Sequence, residues 1–160
     1  MKYAGIIRND ILAAPGICVS FFTQGCPHHC EGCHNPETWD FNGGKEFTSE
    51  TLSSLIKDLT ANGVERNLAI MGGEPLCPEN LFLVNLVINS VKEQLPNTKI
   101  YVWTGYLYEN LKANPDKNLQ NILSNTDVLI DGPFIKKERD ITLFMRGSKN
   151  QRILYLNGKI

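Results

Sequence analysis

Four short apolar runs, each followed closely by glycine, alternate with helix-like segments along this chain of 160 residues. The runs have the composition of β-strands and cover residues 16–23, 67–71, 99–104 and 127–130. Strands that alternate with helices typically form parallel β/α units. A closed eight-fold barrel needs roughly 200 residues or more, so this chain is too short to complete one. The pattern predicts an α/β fold, an open partial (β/α) barrel of four to six mainly parallel strands.

The segments between these strands predict three helices. Thr48 is a typical N-cap for the first helix, and Asn62-Gly63 is a typical stop signal. The second helix is expected at residues 78–95, where a proline stands at its start and another follows its end. The third is expected at residues 107–124, with an interruption at Asn114-Pro115 because proline breaks a helix.

The remaining segments complete a single expected domain over residues 1–160. Residues 26–44 are rich in glycine and proline and predict a loop. Residues 142–145 and 152–156 predict one or two further short strands. The chain carries no repeat or long linker that would divide it, so one hydrophobic core is expected.

The charge balance argues against a nucleic-acid partner. Sixteen Lys and Arg face seventeen Asp and Glu, a net charge of −1, so no basic excess is available to neutralise phosphates. The longest apolar-rich stretch, residues 81–91, is interrupted by polar side chains, whereas a membrane span needs ~20 apolar residues. The first residues lack the apolar segment of a secretory signal. We therefore expect a cytoplasmic protein with reduced thiols and no membrane partner.

Three of the five cysteines lie in the loop that follows the first predicted strand. Cys26, Cys30 and Cys33 have the spacing C-x-x-x-C-x-x-C. An odd number of cysteines, three of them this close together, is not typical of a disulfide framework. The other two, Cys18 and Cys77, are expected to be buried core thiols.

Four interpretations of the cysteine loop compete. A structural zinc site would need a fourth ligand, which a nearby histidine or Cys77 could supply. A redox pair formed by Cys30 and Cys33 would be expected at a helix start, without a third cysteine nearby. Unconnected core cysteines are not expected among polar neighbours. The fourth interpretation is an iron–sulfur cluster with three protein ligands, whose fourth iron stays open to a substrate.

Further motifs resemble the radical S-adenosylmethionine superfamily. Gly72-Gly73-Glu74-Pro75 follows the second predicted strand, and the segment Cys33-His34-Asn35-Pro36-Glu37-Thr38-Trp39-Asp40 is similar to the glycyl-radical-enzyme activases of that superfamily. Three later motifs narrow the resemblance to the activases of anaerobic ribonucleoside-triphosphate reductase. They are Trp103-Thr104-Gly105-Tyr106, Asp127-x-x-x-Asp131-Gly132-Pro133-Phe134 and Arg146-Gly147-Ser148-x-Asn150-Gln151-Arg152.

The resemblance implies an oxidoreductase with two cofactors. One [4Fe–4S] cluster per chain would be held by Cys26, Cys30 and Cys33, and S-adenosylmethionine would chelate its open iron. The reduced cluster would cleave S-adenosylmethionine, and the adenosyl radical would remove a hydrogen from a glycine of the reductase. A flavodoxin or ferredoxin is the expected electron donor, and no catalytic residue beyond cluster and cofactor is implied. The alternatives are an activase of pyruvate formate-lyase or of another glycyl-radical enzyme, and a non-catalytic zinc or iron–sulfur module.

The resemblance also assigns residues to S-adenosylmethionine. The Gly72-Gly73 pair would let the backbone approach the methionyl group, and Glu74 would place a carboxylate near its ammonium. Many members carry an aromatic residue where this chain has Gly32, so His34 or the main chain nearby is left for the adenine contact. The full set of expected cofactor-binding residues is Gly32, Cys33, His34, Gly72, Gly73, Glu74, Thr104 and Asp131.

Two residues near the end of the chain are expected to dock the partner enzyme. They are Arg146 and Gln151, in the most distinctive of the later motifs. Asp131 has an alternative role as a cap of the Gly132-Pro133 turn. Trp103 is expected to pack as a structural residue.

Overall fold

A computed structural model describes residues 1–157 of the chain. Seven strands form one sheet: β1 (Lys2–Asp10), β2 (Cys18–Thr23), β3 (Lys45–Glu46), β4 (Asn67–Gly72), β5 (Ile100–Trp103), β6 (Val128–Asp131) and β7 (Arg152–Tyr155). Four helices connect them: α1 (Ser49–Leu59), α2 (Pro78–Gln94), α3 (Tyr108–Ala113) and α4 (Lys117–Asn125). The order of strands across the sheet is β3-β1-β2-β4-β5-β6-β7.

The prediction of a partial barrel with four to six mainly parallel strands is wrong. The sheet is mixed and has seven strands, with β3 at one edge and β7 at the other. The central strands β2, β4, β5 and β6 pair in parallel, but β1 pairs antiparallel with β2 and β3, and β7 pairs antiparallel with β6. The sequence signal missed β1 because this strand is only half-buried and ends in polar residues, so it lacks a continuous apolar run.

The terminal region also differs from its prediction. Residues 152–155 form β7, but residues 142–145 form turns instead of a strand. The Asp140 carboxylate accepts hydrogen bonds from the Thr142 backbone N–H at 2.9 Å and from its hydroxyl at 2.6 Å. Met145 has a left-handed backbone with φ of 55°. These local side-chain bonds compete with strand pairing, as is typical of aspartate and threonine in turns.

The helix predictions are largely confirmed. The Thr48 hydroxyl accepts a hydrogen bond from the Thr51 N–H at 3.2 Å and so caps α1. The expected third helix is divided into α3 and α4 at Pro115, as predicted. Asp116 then caps α4, because its carboxylate accepts from the Leu119 N–H at 3.0 Å. Among residues 1–157, no helix is long and apolar enough to cross a membrane.

The two faces of the sheet differ, because successive strand residues point to opposite sides. On one face, Ile100 and Val102 of β5 belong to the main core, to which all four helices contribute. The other side, here called the second face, carries Tyr101 of β5 in a smaller cluster with Ala69 and Ile130. Loop residues around Ala13 and Met145 pack against this second cluster. The helices therefore leave the second face to loops, and the candidate site lies there.

Candidate functional site

A cavity of about 440 Å³ opens beside the second face, where β4 and β5 end. Its volume is within the usual range for small-molecule sites, which is about 300–1,000 Å³. Ten of the predicted site residues contribute to its walls: Cys26, Cys30, Cys33, His34, Gly72, Gly73, Glu74, Thr104, Arg146 and Gln151. Two predicted residues, Gly32 and Asp131, lie outside this lining. We call this space the cysteine cavity.

The cysteine loop is fixed at both ends by backbone hydrogen bonds. The Gly25 N–H donates to the Thr38 carbonyl at 2.7 Å, and the Cys26 N–H donates to the Trp39 carbonyl at 3.1 Å. Gly25 has φ of +95°, and a β-carbon there would lie 2.1 Å from the Phe41 ring. Only glycine therefore permits the chain to leave β2 and enter the loop in this way.

Local bonds order the second half of the loop around its thiols. The Cys33 N–H donates to the Cys30 carbonyl at 3.1 Å, and the Cys33 sulfur accepts from the Asn35 N–H at 3.4 Å. Burial raises the pKa of the Cys26 thiol, although hydrogen bonds from the backbone of His28 and His29 oppose that shift. An iron ion would reverse the balance, because a coordinating thiol loses its proton.

The donor chemistry of the cavity fits an iron–sulfur cluster. Within residues 1–157, no three His, Cys, Asp or Glu side chains are close enough to share a single metal ion. The three cysteines of the loop all line the cavity, and cysteine thiolates are the usual ligands of iron–sulfur clusters. Trp39 also lines the cavity, and its indole N–H is buried and without a partner among the described residues. Bound sulfide or another acceptor would satisfy such a donor.

The two cysteines outside the loop, Cys18 and Cys77, are core residues, as expected from the sequence. Cys18 and Cys77 are fully buried and do not line the cavity. Burial raises the pKa of Cys18 to about 11 and that of Cys77 to about 12. The Cys77 thiol donates to the Glu74 carbonyl at 3.1 Å. These two thiols are therefore inert at neutral pH.

The glycine turn after β4 is packed tightly against the start of the cysteine loop. A β-carbon on Gly73 would lie 2.3 Å from the Gly25 carbonyl oxygen. The Gly73 N–H donates to the Thr23 carbonyl at 2.9 Å, and the Glu74 N–H donates to the Gly25 carbonyl at 2.8 Å. Gly72 has φ of +109°, and a β-carbon there would lie 2.8 Å from the backbone of Phe22 and Thr23 in β2. The space that the missing side chains leave is thus occupied by the protein's own backbone.

The Glu74 carboxylate lies at the centre of a hydrogen-bond network and is only 1% exposed. One oxygen, Oε1, accepts from the Leu76 N–H at 2.9 Å and from the Thr104 hydroxyl at 2.7 Å. The other, Oε2, lies 2.7 Å from both the Gly105 nitrogen and the His28 Nε2 atom. All four acceptor positions are therefore used within the protein. Glu74 joins the cysteine loop to the ends of β4 and β5, and no acceptor position is left for the ammonium contact expected from the sequence.

Asp131 is hydrogen-bonded to neighbouring elements of the fold. It is fully buried, and its carboxylate accepts from the Arg152 Nε at 2.9 Å and from the Tyr108 N–H at 2.8 Å. It therefore attaches β7 and the start of α3 to the end of β6. Arg152 also forms a two-pronged pair with Glu109, and this hydrogen bonding lowers the pKa of Glu109 to about 2.

The predicted docking residues are tied into their own loop. Arg146 donates to the Gln151 backbone carbonyl at 3.0 Å. The Gln151 side-chain oxygen accepts from the N–H groups of Gly147 and Ser148 at 2.9 and 3.1 Å, and its amide donates to the Gly132 carbonyl at 3.0 Å. These bonds fasten the loop that follows β6 along one wall of the cysteine cavity.

Sequence reasoning missed several wall residues. Met71 and Trp103 are on the second face near the ends of β4 and β5, and both line the cavity. Trp103 was expected to be only structural, and its indole does donate to the Met145 carbonyl at 2.8 Å. Successive side chains of a strand point to opposite faces of the sheet. Following this alternation to the end of each strand would have placed Met71 and Trp103 on the second face, beside the cavity. His28 also lines the cavity and contacts Glu74, and no local pattern in the sequence indicates that contact.

Comparison with known proteins places the chain in a family. The family described as "4Fe-4S single cluster domain" matches residues 12–154. A Vibrio cholerae protein is 37% identical over 154 residues, covering 96% of this chain and 97% of its own length. An Escherichia coli K12 protein is 33% identical over 157 residues, covering 98% and 99%, and one from Enterobacteria phage T4 is 35% identical over 153, covering 96% and 93%. All three are named anaerobic ribonucleoside-triphosphate reductase-activating protein. With this identity over nearly its whole length, the chain belongs to the family of anaerobic ribonucleoside-triphosphate reductase-activating proteins.

Proposed function

We propose that this chain is a radical S-adenosylmethionine enzyme that installs the glycyl radical of an anaerobic ribonucleoside-triphosphate reductase. One observation carries the proposal: three loop thiols and a glycine turn border the same cavity, in a chain whose relatives are named for activating that reductase. The whole chain would act as one catalytic domain. The names of the relatives favour the reductase over pyruvate formate-lyase as the target.

Cys26, Cys30 and Cys33 would hold three irons of a [4Fe–4S] cluster, which leaves one iron for the methionyl end of S-adenosylmethionine. When bound, the two cofactors supply the radical chemistry that removes a hydrogen atom from the glycine of the target enzyme. A cavity that continues past the thiols distinguishes this proposal from a non-catalytic metal module, which needs no room for a second ligand.

The chain's own residues hold and shield these groups. The turn at Gly72-Gly73 borders the same cavity as the three thiols. Glu74 keeps that turn in place through the bonds described above. The side chains of Met71, Trp103 and Met145 supply an apolar wall. Such a wall excludes water and protects a reactive radical from side reactions.

Arg146 and Gln151 remain the proposed contact with the reductase. Their loop lines the cavity, so a partner segment that reaches the reacting carbon would pass close to it. The internal bonds of Gln151 support a second role, which is to keep this loop ordered. A flavodoxin or ferredoxin remains the predicted electron donor.

Replacing the three loop cysteines one at a time tests the proposal. Cys26→Ala, Cys30→Ala and Cys33→Ala should each lower bound iron after anaerobic reconstitution and abolish release of deoxyadenosine from S-adenosylmethionine. Cys18→Ala and Cys77→Ala are matched controls, since both thiols are buried outside the cavity, and they should retain cleavage. Near-normal cleavage in any of the three loop variants would refute the assignment of cluster ligands.

A further inference from the structure

The imidazole of His28 reaches from the cysteine loop to the end of the sheet. His28 lies between Cys26 and Cys30 in the chain, and its side chain is only 20% exposed. Its Nε2 atom is 2.7 Å from Oε2 of Glu74. Because an ionised carboxylate can only accept, the imidazole is the donor in this bond.

Two further contacts surround the same ring. A β-carbon on Gly105 would lie 2.6 Å from the His28 ring, so only glycine leaves room for it there. The Tyr106 ring meets the imidazole edge to face, with ring centroids 4.6 Å apart. A carboxylate, a glycine and an aromatic ring thus hold the imidazole from three directions, all contributed by the turns after β4 and β5.

The neighbouring side chains of the loop make no comparable link. His29 stacks on Trp39, which belongs to the same loop region, with centroids 4.7 Å apart. Glu31 pairs with Lys136 at 3.2 Å, but their side chains are 81% and 61% exposed. Exposed ion pairs of this kind contribute little to stability. Within residues 26–33, His28 therefore provides the buried side-chain link to the sheet, while the buried Gln24 side chain holds the later part of the loop through the Glu37 and Asp40 carbonyls.

Glu74 is a fixed anchor for that link. Its carboxylate is held by the N–H groups of Leu76 and Gly105 and by the Thr104 hydroxyl, so it cannot swing to follow a moving loop. The backbone N–H of the same residue donates to the Gly25 carbonyl at the start of the loop. The position of the glycine turn is thus coupled to the position of the loop through one residue.

We propose that His28 is a positioning residue that docks the cysteine loop onto Glu74 and so aligns the three thiols with the Gly72-Gly73 turn. The proposal rests on the proposed function, because that alignment matters when one ligand contacts both the cluster and the turn. His28 also lines the cysteine cavity, and the role proposed here is carried by its bond to Glu74. Its effect is transmitted through the loop backbone on one side and through the Glu74 carboxylate on the other.

Three variants and one control separate this role from a general loss of folding. In His28→Leu the link is lost, while in His28→Gln a side-chain amide can still donate to Glu74. Gly105→Ala displaces the ring without changing it, because the added methyl group occupies its space. Glu31→Gln is the matched control, since it removes the exposed link from the same stretch of loop.

The first readout is amide hydrogen exchange of the full-length apo protein, followed by mass spectrometry. A hydrogen bond to a charged, buried partner stabilises a local structure enough that its loss speeds local exchange about tenfold or more. His28→Leu and Gly105→Ala should show this increase across residues 28–33. Glu31→Gln should match the unmodified chain, and His28→Gln should recover part of the protection. Unchanged exchange in both His28→Leu and Gly105→Ala would overturn the proposal.

The second readout is the binding of S-adenosylmethionine to the reconstituted chain, followed as the change it causes in the spectrum of the reduced cluster. We expect His28→Leu to bind about tenfold more weakly at unchanged iron content, with partial rescue by His28→Gln. Equal affinity in His28→Leu and Glu31→Gln would refute the alignment role. If the unmodified chain itself shows no response to S-adenosylmethionine, the proposed function fails, while the exchange experiment still tests the docking of the loop.

Discussion

Replacing Gly73 with alanine tests whether the backbone contact between the glycine turn and the cysteine loop stabilises the site. The added β-carbon would lie 2.3 Å from the Gly25 carbonyl oxygen, about 1 Å short of ordinary contact at 3.4 Å. The obstacle is backbone, so relief requires lengthening the Gly73–Thr23 and Glu74–Gly25 hydrogen bonds, now 2.9 and 2.8 Å long. Forcing an extra methyl group into a packed site costs about 1–3 kcal/mol.

The measurement is the free energy of unfolding of the apo protein. A loss of about 2 kcal/mol would lower the melting temperature by roughly 4 to 8 °C in a domain of this size. Gly5→Ala is the matched control, because a β-carbon on Gly5 meets nothing within 4 Å, and it should be neutral within about 0.5 kcal/mol. If Gly73→Ala and Gly5→Ala are equally stable, the argument from backbone contact is refuted.

Three further predictions concern thiols, the buried carboxylate and the final loop. Burial raises the pKa of Cys77 to about 12 and that of Cys18 to about 11. The alkylation of both thiols in the native apo protein should therefore be very slow at pH 8, and its rate should rise about tenfold per pH unit up to those pKa values. Labelling at the rate of a free thiol would contradict this prediction. Asp131→Asn should lower the free energy of unfolding by about 2 kcal/mol, because it weakens charge-assisted bonds to β7. The affinity of the folded protein for S-adenosylmethionine should not change. A change in affinity at unchanged stability would instead place Asp131 at the cofactor. Arg146→Ala and Gln151→Ala should reduce glycyl-radical formation more than deoxyadenosine release; an equal fall in both would assign the loop to the cofactor cavity.

Local signals account for what the sequence predicted correctly. The loop cysteines and the glycine turn follow strands β2 and β4, and the ends of parallel neighbours meet at one edge of a sheet. The sequence therefore predicts that these two motifs, although distant along the chain, lie at one cavity, and this prediction needs no information about side-chain contacts. Helix boundaries were equally local, since Thr48 caps α1 and Pro115 divides the third predicted helix.

Contacts between distant residues account for what the sequence left out. His28 and Glu74 are 46 positions apart, so no spacing rule connects them. The sequence predicted Asp131 as a cofactor-binding residue at the end of a strand, but Arg152, 21 positions later, pairs with it. The N-terminal strand β1 was missed because its sequence lacks the apolar run of a buried strand, although pairing with β2 orders it. Pairing partners and buried ion pairs are properties of the folded chain rather than of any local pattern.

Transfer of the glycine hydrogen tests the central claim most directly. The reconstituted chain would be incubated under anaerobic, reducing conditions with S-adenosylmethionine and a reductase whose glycines carry deuterium at Cα. We predict that deuterium appears in the released deoxyadenosine in step with the glycyl radical signal, and that Cys30→Ala yields neither. Release of deoxyadenosine without deuterium, or a full radical signal with the Cys30→Ala protein, would contradict the account.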